Sequence, residues 1–324
     1  HSITGTVTQS KGFKEMLDCG IRYFDVRPVW LRTTDNGVDT DVAYTGHYAD
    51  KMGGIGCMGI DMKSVFDDVA AFIEEVHTEV IILKFSHYFL QTVKNNLVDH
   101  TTVDQGADDS DSAVIFDPLK QSLIESLLTK FPDNLYVKRA SDTRRIVDIL
   151  LSELVGSSTK IIAVFDEVNM DRLYPVVGMT GSTLQHNQYV RTAIHTYGDY
   201  YLEGKSASSK NNFELVVYDR YTNTDEMETM ASASTPSDDD HPGQLYQYNQ
   251  SAFHSGSDLY LMSWTLTQQT FKEVITGSPS IQTLASEANS ALGGYMQCLI
   301  QNAKISSSTM PNLMYLTTFA DMPT

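Results

Sequence analysis

The segment GIRYFDVRPVW, Gly20 to Trp30, reads as a strand that starts apolar and finishes charged. Aromatic and aliphatic residues lie between a glycine and a proline, and Asp25 and Arg27 stand two apart just before Pro28. Side chains at i and i+2 of a strand share a face. A carboxylate and a guanidinium therefore point the same way at the strand's end. What that pair is for depends on the fold around it.

The flanking pattern alternates. Lys11–Asp18 puts Phe13, Met16 and Leu17 on one helical face, and Gly20 is a natural stop. Ser64 and Asp67 suit a capping box for a helix carrying Val65, Val69, Phe72 and Val76. EVIILKF (Glu79–Phe85) is apolar on both faces, as a parallel sheet demands. PLKQSLIESLLTKF then reads as helix, NLYVKR (Asn134–Arg139) as strand, TRRIVDILLSEL as helix and KIIAVF (Lys160–Phe165) as strand. FELVVYD, DLYLMSWTL, a helix around Gln282–Ala303 and NLMYLTTF complete the order. Strand–helix alternation predicts a parallel α/β sheet, and the element count suggests a TIM-type (β/α) barrel. One strand is unaccounted for, and it is expected to be the first. With no clean linker, residues 1–324 are expected to form a single domain. DHTTVDQGADDSDSA (Asp99–Ala113) and SASTPSDDDHPG (Ser232–Gly243) are acidic and turn-rich and are expected to be surface loops.

Charge narrows the partners. A net charge of −18 repels nucleic acid and anionic membranes at long range, so a polyanion must be met locally. No nucleic-acid partner is expected. No apolar run is long enough to span a bilayer, and a secreted chain would already have lost its leader. Cys19, Cys57 and Cys298 have no metal spacing and cannot all pair; small buried hydrophobes are expected there.

In a barrel the site lies at the C-terminal ends of the strands. That rule selects Asp25 and Arg27, Ser86 and His87, Lys138 and Arg139, Asp166 and Glu167, Asp219 and Tyr221, Trp264 with Thr265, and Thr317. Arg27 offers a planar fork for two oxygens of a phosphate or carboxylate. His47, in the glycine-flanked YTGHY, is expected in a loop and titrates near neutrality when unperturbed. A purely structural Asp–Arg pair with a backbone-bonded histidine fits the same residues.

GIRYFDVRP followed by YTGHY, EVIILKFSH and LYLMSWTLTQ resembles the phosphatidylinositol-specific phospholipase C family, in its bacterial and fungal secreted branch, from about Gly20 to Leu316. The resemblance implies a distorted (β/α)8 barrel. It also implies cleavage of phosphatidylinositol, or its glycosylated form, to diacylglycerol and a cyclic inositol phosphate. Two histidines would serve as base and acid, with an arginine on the phosphate. By motif match Arg27 is that arginine, Asp25 its neighbouring carboxylate and His47 the acid. Calcium-dependent relatives carry an acidic residue in place of Arg27 and another in place of Ser86, so the resemblance implies no metal and no cofactor. VVYDRY supplies Asp219 and Tyr221 where the family recognises inositol, and Ser86 and Trp264 are further substrate-binding candidates.

The base histidine maps to His1, where Ser2 replaces the aspartate of the family pattern; Thr317 stands where a carboxylate would orient the base. The family also implies a secreted monomer that meets a phosphatidylinositol-containing membrane transiently. Tyr246, Tyr248 and Phe253, expected in a loop from Gln244 to Ser257, are the candidate contacts. The alternative is a catalytically weakened relative that binds inositol phosphate or lipid headgroups without turnover.

Overall fold

Phe24 and Val26 are buried on one side of their strand, while Tyr23 and Asp25 alternate onto the other. That alternation organises the computed structural model of the chain. It describes residues 9, 11–49, 55–75, 78–94, 97–102, 110–139, 141–166, 168–199, 215–219, 222, 224–234, 243–250, 259–269, 279–301 and 313–315. The architecture is mixed α/β, divided into two compact units, one from Phe13 to Gly198 with Phe213–Leu215 and one containing Val216–Thr324.

In chain order the first unit holds α1 (Phe13–Asp18), β1 (Tyr23–Val26), β2 (Pro28–Asp35), β3 (Val38–Ala49), β4 (Ile55–Asp61) and α2 (Met62–Glu74). It continues with β5 (Val80–Phe85), β6 (Phe89–Lys94), β7 (Leu97–Thr102), α3 (Ser110–Lys130), α4 (Leu151–Val155), β8 (Lys160–Phe165), α5 (Met170–Leu173), α6 (Gly181–Ala193) and β9 (Ile194–Asp199). The parallel pairs β1–β5, β5–β8 and β8–β9 form its main sheet. Ile81, Leu83 and Phe85 of β5 join Val65, Val69 and Phe72 of α2 in the core. The opposite face carries Ile82, Ile162 and Val164 together with the polar Asp25, Lys84 and His195.

A second sheet, ordered β4-β3-β2-β6-β7, departs from the barrel expectation. β2–β3, β3–β4 and β6–β7 are antiparallel, and only β2–β6 is parallel. β1 runs through Arg27 into β2, and β5 runs through Ser86, His87 and Tyr88 into β6, so two adjacent strands each leave the parallel sheet for the second one. Val26 is opposite Phe85 before the crossing and Val29 opposite Phe89 after it, so the β5–β6 crossing holds one residue more. His87 absorbs it with φ +54°, in the left-handed region.

The second unit contains β10 (Leu215–Asp219) from Val216 on, α7 (Met227–Ala231), α8 (Gln244–Gln250), β11 (Leu259–Ser263), α9 (Ile281–Gln301) and β12 (Leu313–Tyr315), with β10–β11 and β11–β12 parallel. Its core gathers Tyr260, Met262, Trp264, Leu284 and Ala288. Gln244 ties α8 to β11: its Nε2 donates to Thr222 Oγ1 and its Oε1 accepts from the Ser263 amide. Among the described residues the parallel strands do not close on themselves.

Other local expectations are corrected. Asn134–Arg139 makes a single bridge, Leu135 to Ile161, rather than a strand. TRRIVDILLSEL splits into a short 3-10 turn at Ile146–Asp148 and the one-turn α4. The cap of α2 is Asp61, which accepts from the Ser64 amide and hydroxyl, while Asp67 pairs with Lys63 and Lys130. β7 and the start of α3 occupy both ends of the expected Asp99–Ala113 loop. Gln244–Gln250 is helix, not loop, with Tyr246 half-buried. Cys19 and Cys298 are exposed, not buried. Among the described residues no helix is long and apolar enough to cross a membrane.

Candidate functional site

Asp25 is the hub of the polar face. Its Oδ2 accepts from Arg27 Nε at 3.1 Å, and its Oδ1 accepts from Ser86 Oγ at 2.7 Å. Lys84 Nζ stands 4.0 Å from the same Oδ1. The strands explain this gathering: Asp25 and Lys84 are register partners across β1 and β5, and Arg27 and Ser86 follow two residues on, where both strands turn toward the second sheet. Lys84 also lies under the ring of Tyr197, 4.1 Å from its centroid. Its side chain and that of Asp25 are both under 10% exposed, at 8% and 9%, so this is a desolvated pair rather than a surface ion pair.

The cluster sets the charges. Burial alone would raise the Asp25 carboxyl, but Arg27, then Lys84 and His87, with the Ser86 hydrogen bond, hold it well below the usual carboxylate range. Burial is also the first cause at His87, and with Arg27 it brings the ring down to about 3 despite the opposing pull of Asp25. Asp25 is thus an anion and His87 an uncharged imidazole at neutral pH.

A small recess beside the cluster is lined by Arg27, Val29, Gly46, Tyr48, His87 and Phe89. The Tyr48 ring stacks on Phe89 at 4.1 Å, and its hydroxyl donates to Gln91 Oε1 at 3.2 Å. Burial, then Cys57, pushes the Tyr48 hydroxyl up to about 12. Gly46 leaves room for this packing, since a Cβ there would run into Val29 and come within 3.1 Å of the Tyr48 ring. The recess joins a fixed positive charge to an apolar wall.

His47 lies on β3, not in a loop, opposite Cys57 of β4 and near enough to His87 to act on its charge. The turn that leads from β2 into β3 is Asn36–Gly37, both with left-handed φ. Asp25, Arg27 and Ser86 are brought together; Ser86 is buried at 1% exposure with its hydroxyl committed to Asp25, which makes it a support for the carboxylate rather than an open substrate contact. Trp264 is buried in the second unit, and its Nε1 donates to Ala288 O at 2.8 Å. Asp219 ends β10, while His1, Tyr221, Phe253 and Thr317 lie outside the described residues.

Sequence reasoning missed Lys84 as a site residue. The signal was present: a lysine inside IILKF, on the face opposite Ile81, Leu83 and Phe85, must carry its charge into the polar side of the sheet. His195 shares that face through β8, with its Nε2 donating to the Tyr136 carbonyl at 3.1 Å. Among the described residues no group of three His, Cys, Asp or Glu side chains is placed to hold a metal.

No family model matches the chain, and no curated protein matches it. Among solved structures, a point variant of the phosphatidylinositol-specific phospholipase C from Staphylococcus aureus aligns over 97% of this chain and 78% of its own, with 14% identity and a TM-score of 0.46. A second variant of that enzyme aligns over 92% and 77%, also with 14% identity and a TM-score of 0.46. A third structure, titled for modulation of that enzyme's membrane binding, aligns over 92% and 76% with the same identity and TM-score. The likeness is long in extent, loose in shape and low in identity.

Proposed function

We propose that the chain cleaves the phosphodiester of phosphatidylinositol, or of its glycosylated form, to diacylglycerol and an inositol cyclic phosphate, with Arg27 in the place a metal ion takes in calcium-dependent relatives. The observation that carries this reading is the pinning of Arg27 through Nε by an Asp25 that is buried and ionised, while the side chain stays 30% exposed and lines the recess. A guanidinium fixed in advance near a low-dielectric wall stabilises charge that develops on phosphate oxygens without reorganising during the reaction. The motifs GIRYFDVRP and YTGHY support the same assignment.

In this reading a base, assigned on motif grounds to His1, takes the proton of the inositol 2-hydroxyl as its oxygen bonds to phosphorus. His47 gives a proton to the departing diacylglycerol oxygen as the P–O bond breaks. Ring recognition by Asp219 and Tyr221 rests on the VVYDRY motif alone. Contact with the membrane would be peripheral and transient, outside the cell, and by a monomer.

The test is incubation with phosphatidylinositol vesicles in EDTA, followed by phosphorus resonances. A cyclic phosphodiester signal is expected, reduced roughly 10²- to 10⁴-fold in His47→Ala. Silence in EDTA with rescue by calcium would sink the role given to Arg27.

A further inference from the structure

His87 has no task in the motif reading. Among the described residues only it and Asn36 adopt left-handed φ without being glycine, and Asn36 belongs to a hairpin turn. The extra residue in the β5–β6 crossing demands such a conformation, and glycine would meet that demand without a Cβ penalty. A histidine there places an imidazole on the wall of the recess, beside Arg27, Gly46 and Tyr48.

The charged and titratable groups acting on that ring come from three strands. Asp25 lies on β1 and Arg27 at its end, Lys84 lies on β5, and His47 lies on β3. Burial and these cations bring His87 down to about 3. A ring that weakly basic is poorly matched to take a proton at neutral pH, since an efficient base titrates near its working pH. What it offers throughout the physiological range is an N–H donor without charge. Next to a guanidinium, the complementary partner is an anionic oxygen.

We propose that His87 is a ligand-binding residue that donates an N–H hydrogen bond to a non-bridging oxygen of the phosphoryl group seated against Arg27. The assignment rests on reading Arg27 as the phosphate residue. It divides the work between a charged fork and an uncharged donor on two adjacent strand crossings, which fixes the phosphoryl group from two directions.

Calorimetric titration with inorganic phosphate and with inositol 1-phosphate tests it in four proteins: the unmodified chain, Arg27→Ala, His87→Gly and His87→Asn. Glycine accepts the left-handed backbone and lacks the donor, so affinity for both ligands should fall about ten- to a hundredfold. Asparagine tolerates the same backbone and offers a neutral N–H, so most of the affinity should return. If His87→Gly fails to fold, His87→Asp keeps the backbone and swaps donor for acceptor; it should bind far more weakly than His87→Asn. Unchanged affinity in His87→Gly with loss in Arg27→Ala overturns the assignment and leaves Arg27 in place. Unchanged affinity in Arg27→Ala overturns both. A loss confined to inositol 1-phosphate would put His87 on the ring and also overturn it.

Discussion

Asp25 and Lys84 face each other in register across β1 and β5, with carboxylate and ammonium 4.0 Å apart and both side chains nearly dry. The carboxylate is shared: it also holds Arg27 and Ser86. One anion therefore keeps two cations close together in a poorly solvated place, and its removal is the most damaging single change available at the site.

Asp25→Ala should cost about 3–5 kcal/mol, the range for breaking a buried ion pair by removing one partner. Urea denaturation checks the size. Asp25→Asn should cost less, because the amide can still accept from Ser86. An Asp25→Ala protein as stable as the unmodified chain would mean that the cations find other compensation.

Acid should weaken the fold before Asp25 is protonated. The unfolded His87 ring binds a proton below its ordinary pKa of 6.5, while the folded ring does so only near 3. The unfolded state then holds more protons in that window, so stability falls as pH falls through it. Asp25 acts in the other range: its depressed pKa contributes stability above 3.8 that is lost as pH drops below. Urea midpoints at about pH 7 and about pH 4.5 should differ by less in His87→Asn than in the unmodified chain.

Arg27→Lys keeps a charge and loses the planar fork. Activity on phosphatidylinositol should drop about 10²- to 10³-fold, the scale for losing a preorganised donor to a developing anion. Stability should change little, because lysine can still pair with Asp25. Steady-state cleavage alongside thermal unfolding separates the two effects.

Gly46→Ala adds a methyl that meets Val29 and the Tyr48 ring. Overpacking of this kind costs about 1–3 kcal/mol. A shift of β3 would carry His47 with it, so turnover should fall more than phosphate affinity. A melting temperature and a KM against kcat comparison read both.

Trp264→Phe removes the indole N–H that Ala288 accepts from in the second unit's core. About 0.5–1.5 kcal/mol should be lost with that hydrogen bond, since the Ala288 carbonyl keeps its helix partner. KM for a soluble inositol phosphodiester should stay unchanged below the melting transition, and a raised KM would restore Trp264 to the substrate.

Much of this arrangement was legible. The apolar runs IILKF and KIIAVF name the central parallel strands because each is buried on both faces, and Asp25 with Arg27 follows from their spacing alone. The second sheet was not read, although Asn36–Gly37 is a strong hairpin signal. The flanking TTD and VDTDVAY are polar at the tip, where both strands are exposed, so the period-two pattern fades where the turn should have revealed it. Gly46 beside His47 suggests a loop, where the structure continues β3. Lys84 escaped notice because a single charge in an apolar run looks like noise until its face is known. His87 needed the register of two crossings, which no local pattern contains.

The unequal crossings give the corner a parity. β2 and β6 run side by side only because the β5–β6 link carries one residue more than the β1–β2 link. A deletion anywhere between Phe85 and Phe89 would reverse which side chains of β6 face inward, since strand alternation has a period of two. A substitution at Ser86, His87 or Tyr88 leaves that alternation in place; a change in their number does not. Single deletions at the corner should therefore be more damaging than single substitutions there, which a library of both read out by folding would reveal.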